Sequence, residues 1–342
     1  MLPRKSGRLS CSAGRRWTFL CLLLLSVIVV GTMSAAPAGE PELREATLRA
    51  FQDYVAKVEV RNQQGLSGDK FLWIDSLPEA ERTEAFAKLK QGGVLMKHLG
   101  QKDSEGGAEI SGGMIHDWEG MIFIPAAKLD EVLAILQDYN QHATYYAPDV
   151  ERAKIEERDG DHFRVYMRFR RQKIVTVVLN TEQNITYFRD SPTRAHSRSS
   201  ALRIREVSDP GTKEEKEKSL NEENGFLWQM ETWWRMEERD GGVYVQNEAV
   251  TLTRDIPAGL GWLIEPFVHS IPKETLEFTL GATRKAVLAH NARLCVSPAL
   301  LANDAVGCRW KTRGFSHHSC IPLRRGNGVA FNRTRKASGT RT

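Results

Sequence analysis

Cysteine is absent between residues 39 and 290; the five in the chain fall at 11, 21, 295, 308 and 320. A fold built from that stretch needs no disulfide, and it holds no cysteine nucleophile. Also missing are G-x-S-x-G, H-E-x-x-H, a P-loop and a dinucleotide fingerprint. His116, His142, His162, His196 and His269 are scattered without metal-ligand spacing, and Cys295, Cys308, His317, His318 and Cys320 contain no C-x-x-C pair. No catalytic residue, metal ligand or cofactor is therefore assigned. Long apolar runs are lacking too. The longest, Phe19 to Val30, falls short of the roughly 20 residues that cross a bilayer as a helix.

What is present is a chain of 342 residues, 41% hydrophobic and 27% charged, an ordinary balance for globular protein with enough core to enclose a cavity. The formal charge of +5 is a property of the ends. Arg4, Lys5, Arg8, Arg15 and Arg16 face no acid in the first 16 residues, and residues 290–342 hold ten basic groups against Asp304. The body between is acidic, so nucleic-acid binding by the folded part is not expected. The basic start, the apolar run and Ala36-Pro37-Ala38 read as a secretory signal over residues 1–38, which predicts export to the periplasm or outside; an uncleaved signal serving as an anchor is the alternative.

Apolar residues at Leu48, Phe51, Val55 and Val58 have helical spacing. Ser76-Leu-Pro-Glu79 predicts a capping box opening a second helix to Lys90. Together they define a helical N-terminal region, 39–100, and the Gly-, Ser- and Glu-rich stretch 101–114 reads as a linker. Beyond it the period shortens to two. Trp118 to Ile124 is a strand ended by Pro125, Ala127 to Leu136 a short helix, and Asp138 to Pro148 a turn or second short helix. Strands follow at Val150–Glu157, His162–Arg170, Ile174–Leu179, Ile185–Phe188 and Arg194–Val207. Ser208 to Asn224 is a charged, solvated excursion. Phe226–Met236 and Val243–Thr253 form a hairpin about Asp240-Gly241-Gly242. A long helix closes the series, with Leu276, Leu280, Thr283 and Val287 along one stripe. The tail 291–342 is basic and reads as disordered. The fold class is α+β: one long helix on a curved antiparallel sheet that it cannot cover fully, so a pocket is expected.

The segments Trp118–Pro125, Asp138–Pro148, Phe226–Trp234 and Asp255–Ala286 resemble an exported bacterial branch of the START/polyketide-cyclase (SRPBCC) superfamily of helix-grip domains, over residues 115–290. The resemblance implies a long C-terminal helix gripped by the sheet around an internal cavity, and binding or transfer of lipids, sterols, polyketides or quinones. No single catalytic motif defines that superfamily, so none is carried over.

The expected partner is a hydrophobic small molecule or lipid, with membrane-surface contact as a further role for the basic tail. Its expected lining is Phe163, Val165, Met167 and Phe169 on one strand and Trp228, Met230, Thr232 and Trp234 on another, opposed by Leu276, Leu280 and Val287. Asn247 and Thr251 share an apolar strand face and are candidate headgroup contacts. Gly259, Gly261 and Trp262 lie in a stretch whose glycines and prolines limit regular structure, which marks them as a gate. The alternative function is a cyclase or hydratase acting on a polyketide-like or aromatic substrate, which needs an acid–base pair such as His142 or His269 with Asp138, Glu119 or Glu265. Glu231 and Glu248 are expected in surface salt bridges. Arg194, His196, Arg198, Arg203 and Arg205 form a charged strand face suited to an anionic headgroup or acidic partner.

Overall fold

The computed structural model describes residues 40–100, 108–173, 176–254 and 261–296. The signal-like segment 1–38, residues 101–107 and the tail from 297 lie outside them. The described chain begins with helix α1, Glu40–Leu66, a 3-10 turn at Trp73–Ser76 and helix α2, Glu79–Lys90. Strands β1 (Leu95–His98), β2 (Ala108–Ile110) and β3 (Gly113–Pro125) precede two short helices, α3 (Leu129–Gln137) and α4 (His142–Tyr145). Then come β4 (Val150–Asp159), β5 (His162–Gln172), β6 (Thr176–Ser191), β7 (Arg194–Ser208), β8 (Lys216–Glu217), β9 (Gln229–Arg239), β10 (Gly242–Arg254) and helix α5 (Gly261–Val296).

The strands make one antiparallel sheet in the order β1-β3-β10-β9-β7-β6-β5-β4, with β2 on β3 and β8 on β7. The architecture is α+β, as the change of period from 3.6 to 2 requires. The hairpin β9–β10 turns through Asp240 (φ 57°) and Gly241 (φ 77°), the left-handed pair that matches the twist of two antiparallel strands. The two stretches read as separate strands at 174–179 and 185–188 are one, β6, because Asn180 to Asn184 continues the ladder with β5.

Alternation sends one set of side chains to each side of the sheet. On the side that carries α5, called the front here, Ile122, Ile124, Phe163, Val165, Ile185, Met236, Val243 and Val245 form the main core with α3 and with Leu276, Leu280 and Val287. Burying each of these leucines is worth about 1.5–3 kcal/mol. On the back, Phe71, Leu72, Ile74 and Leu89 pack on Met121, Phe123 and Tyr244, while Phe51 and Val58 of α1 pack on Ile115, Trp233, Val250 and Leu252.

Three expectations are corrected. Helix α2 starts after Pro78 with no side-chain cap; Ser76 is the last residue of the preceding 3-10 turn, too early to cap it. The N-terminal region is not helical throughout, since Leu95–His98 adds a strand along Trp118–Met121. Part of the presumed linker, Ala108–Ile110, likewise pairs with Gly113–Ile115. The excursion after β7 is fastened to the sheet. Arg168 holds both oxygens of Glu215 at 3.0 Å, and the buried Glu206 carboxylate accepts from the backbone N–H groups of Asn224, Gly225 and Phe226 at 2.8–3.1 Å.

Helix α5 packs tightly on the sheet at Gly120. A Cβ there would lie 2.5 Å from Leu280 Cδ1 and 2.9 Å from Met96 Sδ, and Leu280 is fully buried. Gly120→Ala should therefore lower stability by about 1–3 kcal/mol, as overpacking does, and Gly120→Val by more. Thermal melts check this, and equal melting temperatures for all three proteins would contradict it.

Candidate functional site

The register maps the front face as rows running across the strands. Gly120, Asn247, Trp234, Ser197 and Tyr187 form the middle row. On one side of it the rows are filled: Ile122, Val245, Met236 and Ala195 are all buried beneath α3 and α5. On the other side lie Trp118, Ala249, Thr232 and Ser199, then His116, Thr251 and Met230. There Trp118, Ala249, Thr232 and Thr251 are partly exposed although each has a strand on both sides. The exposure therefore opens off the face of the sheet and away from its edges. Lys273 Nζ stands 5.7 Å from the Trp118 ring, which sets this open area beside the first half of α5.

The expected lining is divided between the filled core and the open rows. Phe163, Val165 and Met167 are buried on the front, with Phe169 and Trp234 partly buried against the same core. Met230 and Thr232 are partly exposed in the open rows, whereas Leu276, Leu280 and Val287 of α5 belong to the filled core. Trp228 is corrected: it packs on the back with Phe51 and Ile115, under the guanidinium of Arg44. Strand β9 starts only at Gln229, so the alternation that places Met230 and Trp234 does not extend to it. Of the gate, Gly259 lies outside the described residues, and Gly261 and Trp262 are described only as the opening of α5.

The front also carries polar groups beyond the Thr232, Asn247 and Thr251 that the sequence singles out. Ser199 Oγ donates to Gln183 Oε1 and Gln183 Nε2 to Thr181 Oγ1, both at 3.2 Å and all buried. Asn247 is buried, and its Oδ1 has no hydrogen-bond partner among the described residues; nor does Trp118 Nε1. The signal was available in the alternation of β6, where Thr181 and Gln183 continue the face of Ile185.

Among the described residues, His142 makes no hydrogen bond to Asp138 or Glu119. His142 is buried among Tyr139, Tyr145 and Tyr146, and desolvation pushes its imidazole down to about 4, leaving it neutral at pH 7. Asp138 accepts instead from Tyr145 Oη at 2.9 Å. Glu119 points to the back. Glu265 and His269 lie where side chains are not described. Among the described residues no group of His, Cys, Asp and Glu is placed to hold a metal ion.

The back face holds the largest surprise. Glu248, expected in a surface salt bridge, is 1% exposed, because α1 covers that part of the sheet. It shares the site with Asp117 and Glu119, also buried; Glu119 is its cross-strand partner. Arg61 of α1 reaches both Glu248 and Asp117. Asn62 Nδ2 donates to Glu248 and Tyr54 Oη to Asp117, each at 2.9 Å, and Gln246 Nε2 donates to Glu119 at 2.6 Å. Arg235 adds a second cation but spends its donors on Phe71 O, Asn62 O and Asn62 Oδ1. Burial, and then the charge of Glu248, push the Glu119 carboxyl up to about 7. Burial and the neighbouring Asp117 raise Glu248 likewise. The other charged residues of the β7 stretch are paired separately: Arg194 with Glu237, His196 with Asp190, and Arg198 with Glu59 and Glu231.

No family model matches the sequence, and no curated protein matches it. Among solved structures the chain is similar to a fragment of a STAR-related lipid transfer protein from Xanthomonas axonopodis, at 17% identity and a TM-score of 0.38 over 57% of this chain and 93% of that one. It is also similar to the Zhui aromatase/cyclase of Streptomyces sp. R1128, at 13% identity and a TM-score of 0.33 over 51% and 93%. Human STARD10 matches at 8% identity and a TM-score of 0.36 over 66% and 86%.

The buried carboxyls make stability depend on pH. A carboxyl raised in the folded state favours folding fully below the ordinary carboxylate range, and that contribution is lost as pH rises through about 7. The melting temperature should therefore fall between pH 5 and pH 8, and Glu119→Gln should flatten the fall. Calorimetric scans across that range check it; a curve equally steep in the variant would exclude Glu119 as a source.

Proposed function

We propose that the protein binds a hydrophobic small molecule or lipid between the open rows of the front face and helix α5, as a helix-grip domain of the START/polyketide-cyclase type exported by an N-terminal signal. The observation that carries this reading is the partial exposure of Trp118, Ala249, Thr232 and Thr251 in the middle of the sheet. An apolar ligand laid there gains roughly 25 cal/mol per Å² removed from water. Trp234 and Met230 suit a permissive site, one by its area and the other by its adaptable shape. The hydrogen-bonded Thr181, Gln183 and Ser199 supply a polar end.

Native mass spectrometry and solvent extraction of the purified protein should recover a bound apolar species. Thr232→Trp, which adds volume to an open row, should abolish that recovery while the thermal melt stays within about 0.5 kcal/mol of the parent, the usual range for a change away from the core. A protein that carries no apolar species, and takes none up from detergent-dispersed lipid, would overturn the reading.

A further inference from the structure

The ladder between β7 and β9 ends at Ser200 and Glu231, and β7 runs on through Ala201–Arg205 without that neighbour. A cleft of about 100 Å³ sits at this seam, lined by Arg44, Arg203, Arg205, Glu223 and Trp228, with Leu202, Leu227 and Gln229 around them. That is several times the space one water needs. Three guanidiniums converge on it from different parts of the chain, one from α1 and two from β7.

Their charge is unevenly used. Arg203 is tied to Glu217. Arg44 and Arg205 share a single carboxylate, Glu223, at 3.4 and 3.7 Å. Among the described residues Arg44 otherwise reaches only Leu220 O, at 3.5 Å, and stacks over Trp228; Arg205 donates to Ile204 O at 2.7 Å. The Glu223 side chain is 5% exposed, and its Oε1 accepts no hydrogen bond among the described residues. Two arginines thus face one carboxylate at distances too long for good hydrogen bonds, in a cleft with room between them. Charge-assisted bonds to a phosphate oxygen run at about 2.7–2.9 Å, and guanidinium matches that group with two parallel donors.

We propose that this cleft binds a phosphate group, with Arg44 and Arg205 as its principal donors and Arg203 at its edge. The phosphate is either a free ion or phosphoester, or the headgroup of an anionic lipid. Exposed Leu202, Leu220 and Phe226 belong to the same stretches of chain as the cleft, and they would rest on the bilayer in the second case. Glu223 competes with the incoming anion for the two guanidiniums. Burial holds its carboxyl above the ordinary range, which lightens that competition.

The full chain should be titrated calorimetrically with inorganic phosphate, and sedimented with phosphatidylcholine vesicles with and without phosphatidic acid. Binding should appear in at least one arm. Arg44→Gln and Arg205→Gln should each weaken it about tenfold or more, the effect of losing one charge-assisted hydrogen bond, with melting temperature and apolar-ligand recovery unchanged. Glu223→Gln should strengthen it, which a residue with only a structural role would not do. Phosphate that displaces the protein from phosphatidic acid vesicles shows one site serving both; binding in the vesicle arm alone assigns the lipid, and in the phosphate arm alone the free ion. Absence of binding in both arms, or binding indifferent to Arg44 and Arg205, overturns the proposal.

Discussion

Everything on the front of this protein depends on how near α5 can come to the sheet, and one missing side chain sets that distance. Gly120 lets Leu276 and Leu280 rest on the backbone of β3, which closes the core over the filled rows and fixes the height of the helix over the open ones. A taller residue would lift α5 from both. The same strand is loaded from behind, where Met121 and Phe123 meet the segment 71–89. Strand β3 is therefore gripped from two sides, and its thirteen residues include almost no position at which a change of volume is neutral.

The N-terminal region is part of this arrangement. Helix α1 hides apolar surface on Trp233, Val250 and Leu252, but in doing so it removes three carboxylates from water. Burying like charges on neighbouring strands is costly unless they are neutralised; here Arg61 and retained protons do so. Gly65 belongs to the same bargain: a Cβ on it would fall 2.6 Å from the Arg235 guanidinium, so its smallness admits the second cation. The back of the sheet accordingly holds a charged centre where a hydrophobic one would have sufficed.

Much of the fold was legible in the sequence. The strands from Val150 to Thr253, the short helix after Pro125 and the stripe Leu276, Leu280, Thr283 and Val287 followed from periodicity, which reports burial on one face. Periodicity is silent on which element covers that face. Glu248 read as solvated, and Glu119 as a candidate acid in the pocket, because nothing local announces that α1 lies over that part of the sheet. Trp228 failed for the complementary reason: a pattern extended one residue past the true start of β9 assigns the wrong side. On the front face the burial of Phe163, Val165 and Met167 was legible, whereas the polar row at Thr181 and Gln183 was lost when β6 was divided in two.

Glu206 offers a last consequence. Its one carboxylate gathers three successive backbone N–H groups where the chain returns toward β9, and so fixes where the excursion ends. What lies between is held chiefly by Glu215 on the buried Arg168 and by Glu217 on Asn180 and Arg203. With Glu215 and Glu217 kept as anchors and the return point at 224–226 held constant, the remaining positions of 209–222 are a natural place for the fold to accept new sequence.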